Sequence, residues 1–142
     1  YFKFDTHWNS NGAFEGYKSF CKQTYSELGL QAFSIDDFDI DYKEIWKGDL
    51  TNMIGIDSAE YYDLTPIYTL KDNSVNYQTI KEEGFPKETV ITINEDCNNN
   101  DIALIFRDSD TDYLIQFLSL HFHHLSLHRH SPVVCVPRVK AD

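Results

Sequence analysis

The chain has 142 residues, 42% of them hydrophobic and 15% aromatic, which suits one ordinary domain with a packed core and excludes wholesale disorder. Against 12 Lys and Arg stand 23 Asp and Glu, a net charge of −11 that speaks against nucleic acid as a partner and offers no basic patch to an anionic membrane. No apolar run approaches the roughly 18 residues of a membrane-spanning helix, and Cys21, Cys97 and Cys135 are spaced for neither a metal motif nor a disulfide framework.

In chain order, residues 1–8 are predicted to form a strand running into Asp5-Thr6-His7. Ser10 or Asn11 is expected to cap a helix reaching Leu28. Its apolar face is Ala13, Phe14, Tyr17, Phe20, Cys21, Tyr25 and Leu28, and Gly29 is placed to stop it. Residues 33–47 are acidic and aromatic, with Asp36, Asp37, Asp39 and Asp41 in near alternation. They lack the glycine and the final glutamate of an EF-hand loop, so a solvated loop or edge strand is expected. Gly48 to Gly55 reads as one short helical turn closed by glycine. Residues 61–80 hold several strand-like pieces, 88–94 a strand, and 95–101 an Asn-rich turn. Residues 101–106 read as a buried strand and 111–122 as a helix, with Leu114, Ile115, Leu118 and Phe122 on one face.

Two segments carry chemistry. A serine hydroxyl needs an imidazole to take its proton, and the imidazole needs a carboxylate to fix its tautomer. Asp5 and His7 are two residues apart, so in an extended segment both side chains leave on the same side. The Asp5 carboxylate then reaches His7 Nδ1, and Nε2 faces a serine. Ser109 falls at the turn between the predicted strand and helix. Helix N-terminal N–H groups beside it would serve as oxyanion donors, the general design of a nucleophile elbow without its usual letters. Trp8 offers a sugar-stacking face or a packing role, and Asn9 a tie for the loop or a helix cap. Arg107 and Tyr113 lie near Ser109, Arg107 reading as a surface partner of Asp108.

The end of the chain differs in composition. His121, His123, His124, His128 and His130 crowd one stretch, but their spacing fits no single helical or strand face. They are expected on a helix end and a loop. No metal and no cofactor is expected. Residues 125–142 are predicted to pack poorly as an atypical tail, with at most one strand, around Leu125–His128.

Residues 1–17, with Asp5-Thr6-His7-Trp8-Asn9, resemble the Asp-x-His-Trp-Asn segment of the SGNH-hydrolase-like domain of alginate O-acetyltransferases. Gly48-Asp49-Leu50 resembles that family's Gly-Asp-Leu segment, and residues 103–122, around Arg107-Asp108-Ser109, its nucleophile segment and helix. The likeness covers residues 1–124 and keeps the order Asp, His, Ser. It implies an α/β, SGNH-hydrolase-like three-layer α/β/α domain, incomplete at both ends, followed by the tail 125–142. It implies Ser109 as nucleophile, His7 as base and Asp5 as its orienter, with Trp8, Asn9, Arg107 and Tyr113 as candidate substrate contacts. The implied reaction is O-acetyl transfer to hydroxyls of an exported or envelope polysaccharide, in a periplasmic or envelope-associated protein. The partners would be the polysaccharide and a membrane-bound acyl-donor protein. An acetyl-esterase with the same triad, or a non-catalytic carbohydrate-binding or scaffold fragment, are the alternatives. The sequence departs from the family at Asp110, where a Phe is usual.

Overall fold

The computed structural model describes residues 1–46, 48–56, 61–72, 75–82, 89–97, 100–129 and 135–136. The chain divides into two compact units, residues 1–71 and 72–142.

The first unit is built on helix α1 (Ser10–Leu28), packed against a two-stranded antiparallel ribbon, β1 (Phe38–Trp46) with β2 (Tyr62–Leu70). Asn9, rather than Ser10 or Asn11, caps α1: its side-chain oxygen accepts from Gly12 N–H at 3.1 Å. Gly29 ends the helix at φ 66°, a left-handed conformation that glycine adopts without a Cβ penalty. Ala13, Phe14, Tyr17 and Cys21 bury the predicted apolar face, while Tyr25 of that face is exposed. Phe14 stacks on Tyr68 of β2 with ring centroids 5.4 Å apart, and Phe38 of β1 meets both edge-on. Buried rings of this size each stabilise by about 2–3 kcal/mol. Tyr17 hydroxyl accepts the Phe33 N–H at 2.8 Å, and burial pushes the phenol well above its ordinary range. Of the acidic stretch, Asp36 and Asp37 lie in a 3₁₀ turn (Ile35–Asp37) and Asp39 and Asp41 in β1, which is largely exposed as the edge-strand expectation has it. Helix α2 (Asp49–Met53) is the predicted short turn, with Gly55 at φ 70° behind it.

The second unit is a five-stranded sheet among the described residues: β3 (Gln78–Glu82), β4 (Thr89–Ile93), β5 (Ile102–Arg107), β6 (His124–Arg129) and β7 (Cys135–Val136). The spatial order is β3-β4-β6-β5-β7. β5 and β6 run parallel and the other neighbours antiparallel. A parallel pair needs a crossover, and residues 108–123 supply it.

Four expectations are corrected here. Residues 1–8 form bends rather than a strand. The helix predicted over 111–122 is two short turns, a 3₁₀ turn (Asp110–Tyr113) and α3 (Ile115–Leu118). Tertiary partners replace the helical ones: Asn94 Nδ2 takes the Ser119 carbonyl at 3.1 Å, and Ser119 Oγ accepts from Thr92 at 2.9 Å. Leu120 and Phe122 are buried beyond the helix end. The boundary expected between 124 and 125 cuts through an integral element, since β6 lies between β4 and β5 and buries Leu125 and Leu127 completely. The histidines are not placed on a helix end and loop alone. His124 and His128 belong to β6, His128 bonding Ser126 and Thr89, while burial pushes His121 down to about 4. His130 and residues 131–134 and 137–142 lie outside the described residues.

Candidate active site

Asp5 and His7 come together as the spacing predicts, by a different backbone route. Asp5 Oδ1 accepts the His7 backbone N–H at 2.9 Å and faces His7 Nδ1 at 2.5 Å. An aspartate bonding the N–H two residues on is a turn, not a strand, and this turn carries the ring to the same carboxylate. Asp5 Oδ2 accepts the Asp49 N–H at 3.0 Å. Partial burial pushes the Asp5 carboxyl up. The bonds from His7 and the Asp49 N–H outweigh it and hold the carboxyl below its ordinary value. Asp5 therefore stays ionised beside the ring and fixes Nδ1 as the protonated nitrogen, so Nε2 is the nitrogen with base chemistry.

The segment around the pair is held by side chains from elsewhere in the first unit. Asp63 on β2 accepts Lys3 N–H at 2.9 Å and Phe4 N–H at 2.9 Å. Leu50 N–H donates to the Phe4 carbonyl at 3.2 Å. Gly48 sits so close that an added Cβ would lie 2.0 Å from the Phe4 oxygen. Trp8 packs over Gly12, which has no room for a Cβ beside the Trp8 Cβ. Asn9 caps α1 and also donates to the Tyr1 carbonyl at 3.4 Å. These contacts give Trp8 and Asn9 structural roles. Sequence reasoning assigned no role to Asp49 or Asp63. The Gly-Asp-Leu likeness was the one available signal for Asp49, and Asp63 had none.

Ser109 lies past the carboxyl end of β5, an interior strand with β6 and β7 on its two sides. Its backbone is ordinary right-handed helical (φ −73°, ψ −26°), so the turn is not a strained elbow. Its hydroxyl does not cap the following turn; Asp108 does, accepting from Thr111 N–H at 3.4 Å. With the helix reduced to short turns, the expected helix-terminus oxyanion donors lose their basis.

Arg107 is not a surface residue. Its side chain is wholly buried, Nη1 donating to the Asp108 carbonyl at 3.2 Å and to the Asp112 carboxylate. Among the described residues its Nε and Nη2 have no hydrogen-bond partner. Asp112 also accepts from Arg129 at 3.4 Å. Arg107 thus ties the two ends of the Ser109 turn together. Tyr113 closes that turn, half-buried, its carbonyl accepting from Gln116.

Asp5, His7 and Asp49 are also the described residues whose ligand atoms cluster within 4.8 Å, a spacing a metal ion could use. Their four carboxylate oxygens each accept a bond from an N–H or O–H group, so the cluster reads as a hydrogen-bonded network.

No family model and no curated protein sequence matches the chain. Solved structures do. A DHHW family protein from Eubacterium siraeum superposes with a TM-score of 0.72 at 14% identity, over 90% of this chain and 50% of that one. Bacillus cereus PatB1 superposes with a TM-score of 0.67 at 19% identity, over 90% and 53%. PatB1 with a sulfonyl adduct gives 0.68 at 18%, over 91% and 51%. The chain spans about half the length of these structures. At such identities the likeness concerns fold, which is α/β and compatible with an SGNH-like arrangement.

Proposed function

We propose that this chain carries the Ser-His-Asp chemistry of an O-acetyltransferase acting on an exported or cell-envelope polysaccharide. The observation that carries the reading is the Asp5–His7 Nδ1 contact at 2.5 Å on an ionised carboxylate. The likeness to PatB1 favours a function of the polysaccharide O-acetyltransferase type. In the proposed reaction Ser109 Oγ attacks the acetyl carbonyl and His7 Nε2 takes its proton. The proton passes to the leaving group as the donor's ester bond breaks. A sugar hydroxyl then attacks the acetyl-serine, again losing its proton to His7, and Ser109 is restored. Arg107 is assigned to holding the Ser109 turn rather than to substrate. The first resemblance pointed to alginate-type acceptors. A chain of net charge −11 repels a polyuronate, so we assign a glycan without dense negative charge. An envelope location follows from that substrate; among the described residues no helix is long and apolar enough to cross a membrane.

One observation favours a second reading, a non-catalytic glycan-binding module: Asp110 puts a carboxylate directly after Ser109, where a developing oxyanion is disfavoured. A sulfonyl fluoride separates the two. Under the catalytic reading, mass spectrometry finds the adduct on Ser109, and His7→Ala abolishes it. Absence of labelling in the folded protein overturns that reading. Acetyl-ester turnover that rises on adding an oligosaccharide acceptor marks a transferase; turnover indifferent to acceptor marks an esterase.

A further inference from the structure

We propose that Asp49 is a positioning residue for the Asp5–His7 pair, holding the loop between them from the first turn of α2. The inference rests on the catalytic reading above for its purpose, though not for its geometry.

Asp49 grips the loop at three points. Its Oδ1 accepts the Thr6 backbone N–H at 2.7 Å. Its Oδ2 accepts the Thr6 hydroxyl, and the same oxygen lies 4.0 Å from His7 Nδ1. Its own backbone N–H donates to Asp5 Oδ2 at 3.0 Å. The first two contacts fix the residue between acid and base. The third stops the Asp5 carboxylate from rotating, so that Oδ1 stays on Nδ1. Gly48 makes the approach possible, because any side chain there would strike the Phe4 carbonyl.

Two carboxylates therefore face the ring, Asp5 from its own loop and Asp49 from α2. Asp5 bonds the ring directly. Asp49 acts through Thr6 and Asp5, and adds a second negative charge near the imidazolium that forms when the base accepts a proton. Hydrogen bonds with a charged acceptor are the strong ones. Three such ties on one dipeptide exceed what a five-residue helix needs to start.

The readout is solvent exchange of the His7 Nδ1 proton, followed by NMR in the full protein. Asp49→Asn keeps the shape, and its amide oxygen still accepts Thr6 N–H, but it loses the charge. Exchange should quicken about tenfold, the equivalent of one hydrogen bond to a charged group. Thr6→Val removes only the hydroxyl and should quicken it about threefold, the equivalent of a weaker neutral bond. Thr6→Val also decides the matter if Asp49→Asn does not fold. A merely structural role would lower the melting temperature and leave exchange unchanged; unchanged exchange in the folded variants overturns the proposal. Sulfonyl labelling of Ser109 in the same samples keeps the two readings apart. Faster exchange in Asp49→Asn with no labelling of the unmodified protein supports the clamp and refutes the transferase.

Discussion

The Asp5–His7 loop and the Ser109 turn each hold a side chain that the proposed reaction would use, and they do it with opposite electrostatics. The loop is fixed by carboxylates. Asp5, Asp49 and Asp63 accept backbone N–H groups of residues 3, 4, 6, 7 and 49 in a partly exposed setting. The turn is fixed by a cation: buried Arg107 grips a carbonyl and one carboxylate, and two of its nitrogens find no partner among the described residues. A carboxylate with several N–H donors is satisfied where it stands. A buried guanidinium with few acceptors depends on each one it has. The loop is therefore redundant in its support and the turn is not.

Removing the carboxylate that Arg107 grips, or the cation itself, tests how far the turn depends on that pair. Asp112→Ala strands the buried Arg107 charge and should cost about 3–5 kcal/mol of stability in denaturant unfolding. Arg107→Met removes the charge itself and leaves Asp112, which is 40% exposed in its side chain and keeps Arg129. It should cost less than Asp112→Ala. The reverse order would show that Arg107 is held by packing rather than by charge.

Acid should separate the two regions next. His121, in the crossover after the Ser109 turn, has a largely desolvated imidazole, half-buried overall, pushed from 6.5 down to about 4. Its stabilisation is complete above about pH 6.5, the unfolded value. It declines as pH falls towards 4 because the unfolded chain binds the proton first, a loss of up to about 3 kcal/mol. Asp5 is depressed from 3.8, so its contribution holds above that value and is lost only as pH falls through its folded one. Hydrogen exchange by segment, corrected for intrinsic rates, should show residues 115–129 loosening between pH 6.5 and 4 while residues 3–7 stay protected. His121→Asn should remove that pH dependence. Simultaneous loosening of both segments would mean that His121 does not govern the difference.

The smallest of these effects concerns Gly48. Its φ of −59° is open to any residue, so the constraint is steric. Gly48→Ala should displace the Phe4 carbonyl, cost about 1–3 kcal/mol as an overpacked contact does, and reduce acetyl-ester turnover through the displaced Asp5. Unchanged melting and turnover would mean the loop yields freely and that its several bonds are individually dispensable.

Much of the first unit was readable locally. The helical spacing of Ala13, Phe14, Tyr17 and Cys21, with Gly29 behind it, marks the body of α1 and its stop, because burial period and C-terminal capping act within a few residues. The Asp5–His7 contact is likewise a matter of two residues. It survived a wrong backbone expectation because an Asp carboxylate reaches the N–H two residues on in a turn as well as its same-side neighbour in a strand. What required the fold was everything that arrives from a distance. Asp49 and Asp63 reach the loop across more than forty residues; the Gly-Asp-Leu likeness marks Asp49 without its role, and nothing local marks Asp63. Arg107 beside Asp108 reads locally as an exposed pair, because the strand pairing that puts it next to Arg129 of β6 is made only in the assembled sheet. The histidine-rich end looked foreign by composition. Yet Leu125 and Leu127 alternate with the more polar Ser126 and His128, and pairing with both β4 and β5 makes that stretch an interior strand. Local periodicity fixes what an element is; only the neighbours it pairs with decide whether it is an edge, a tail or the middle of a sheet.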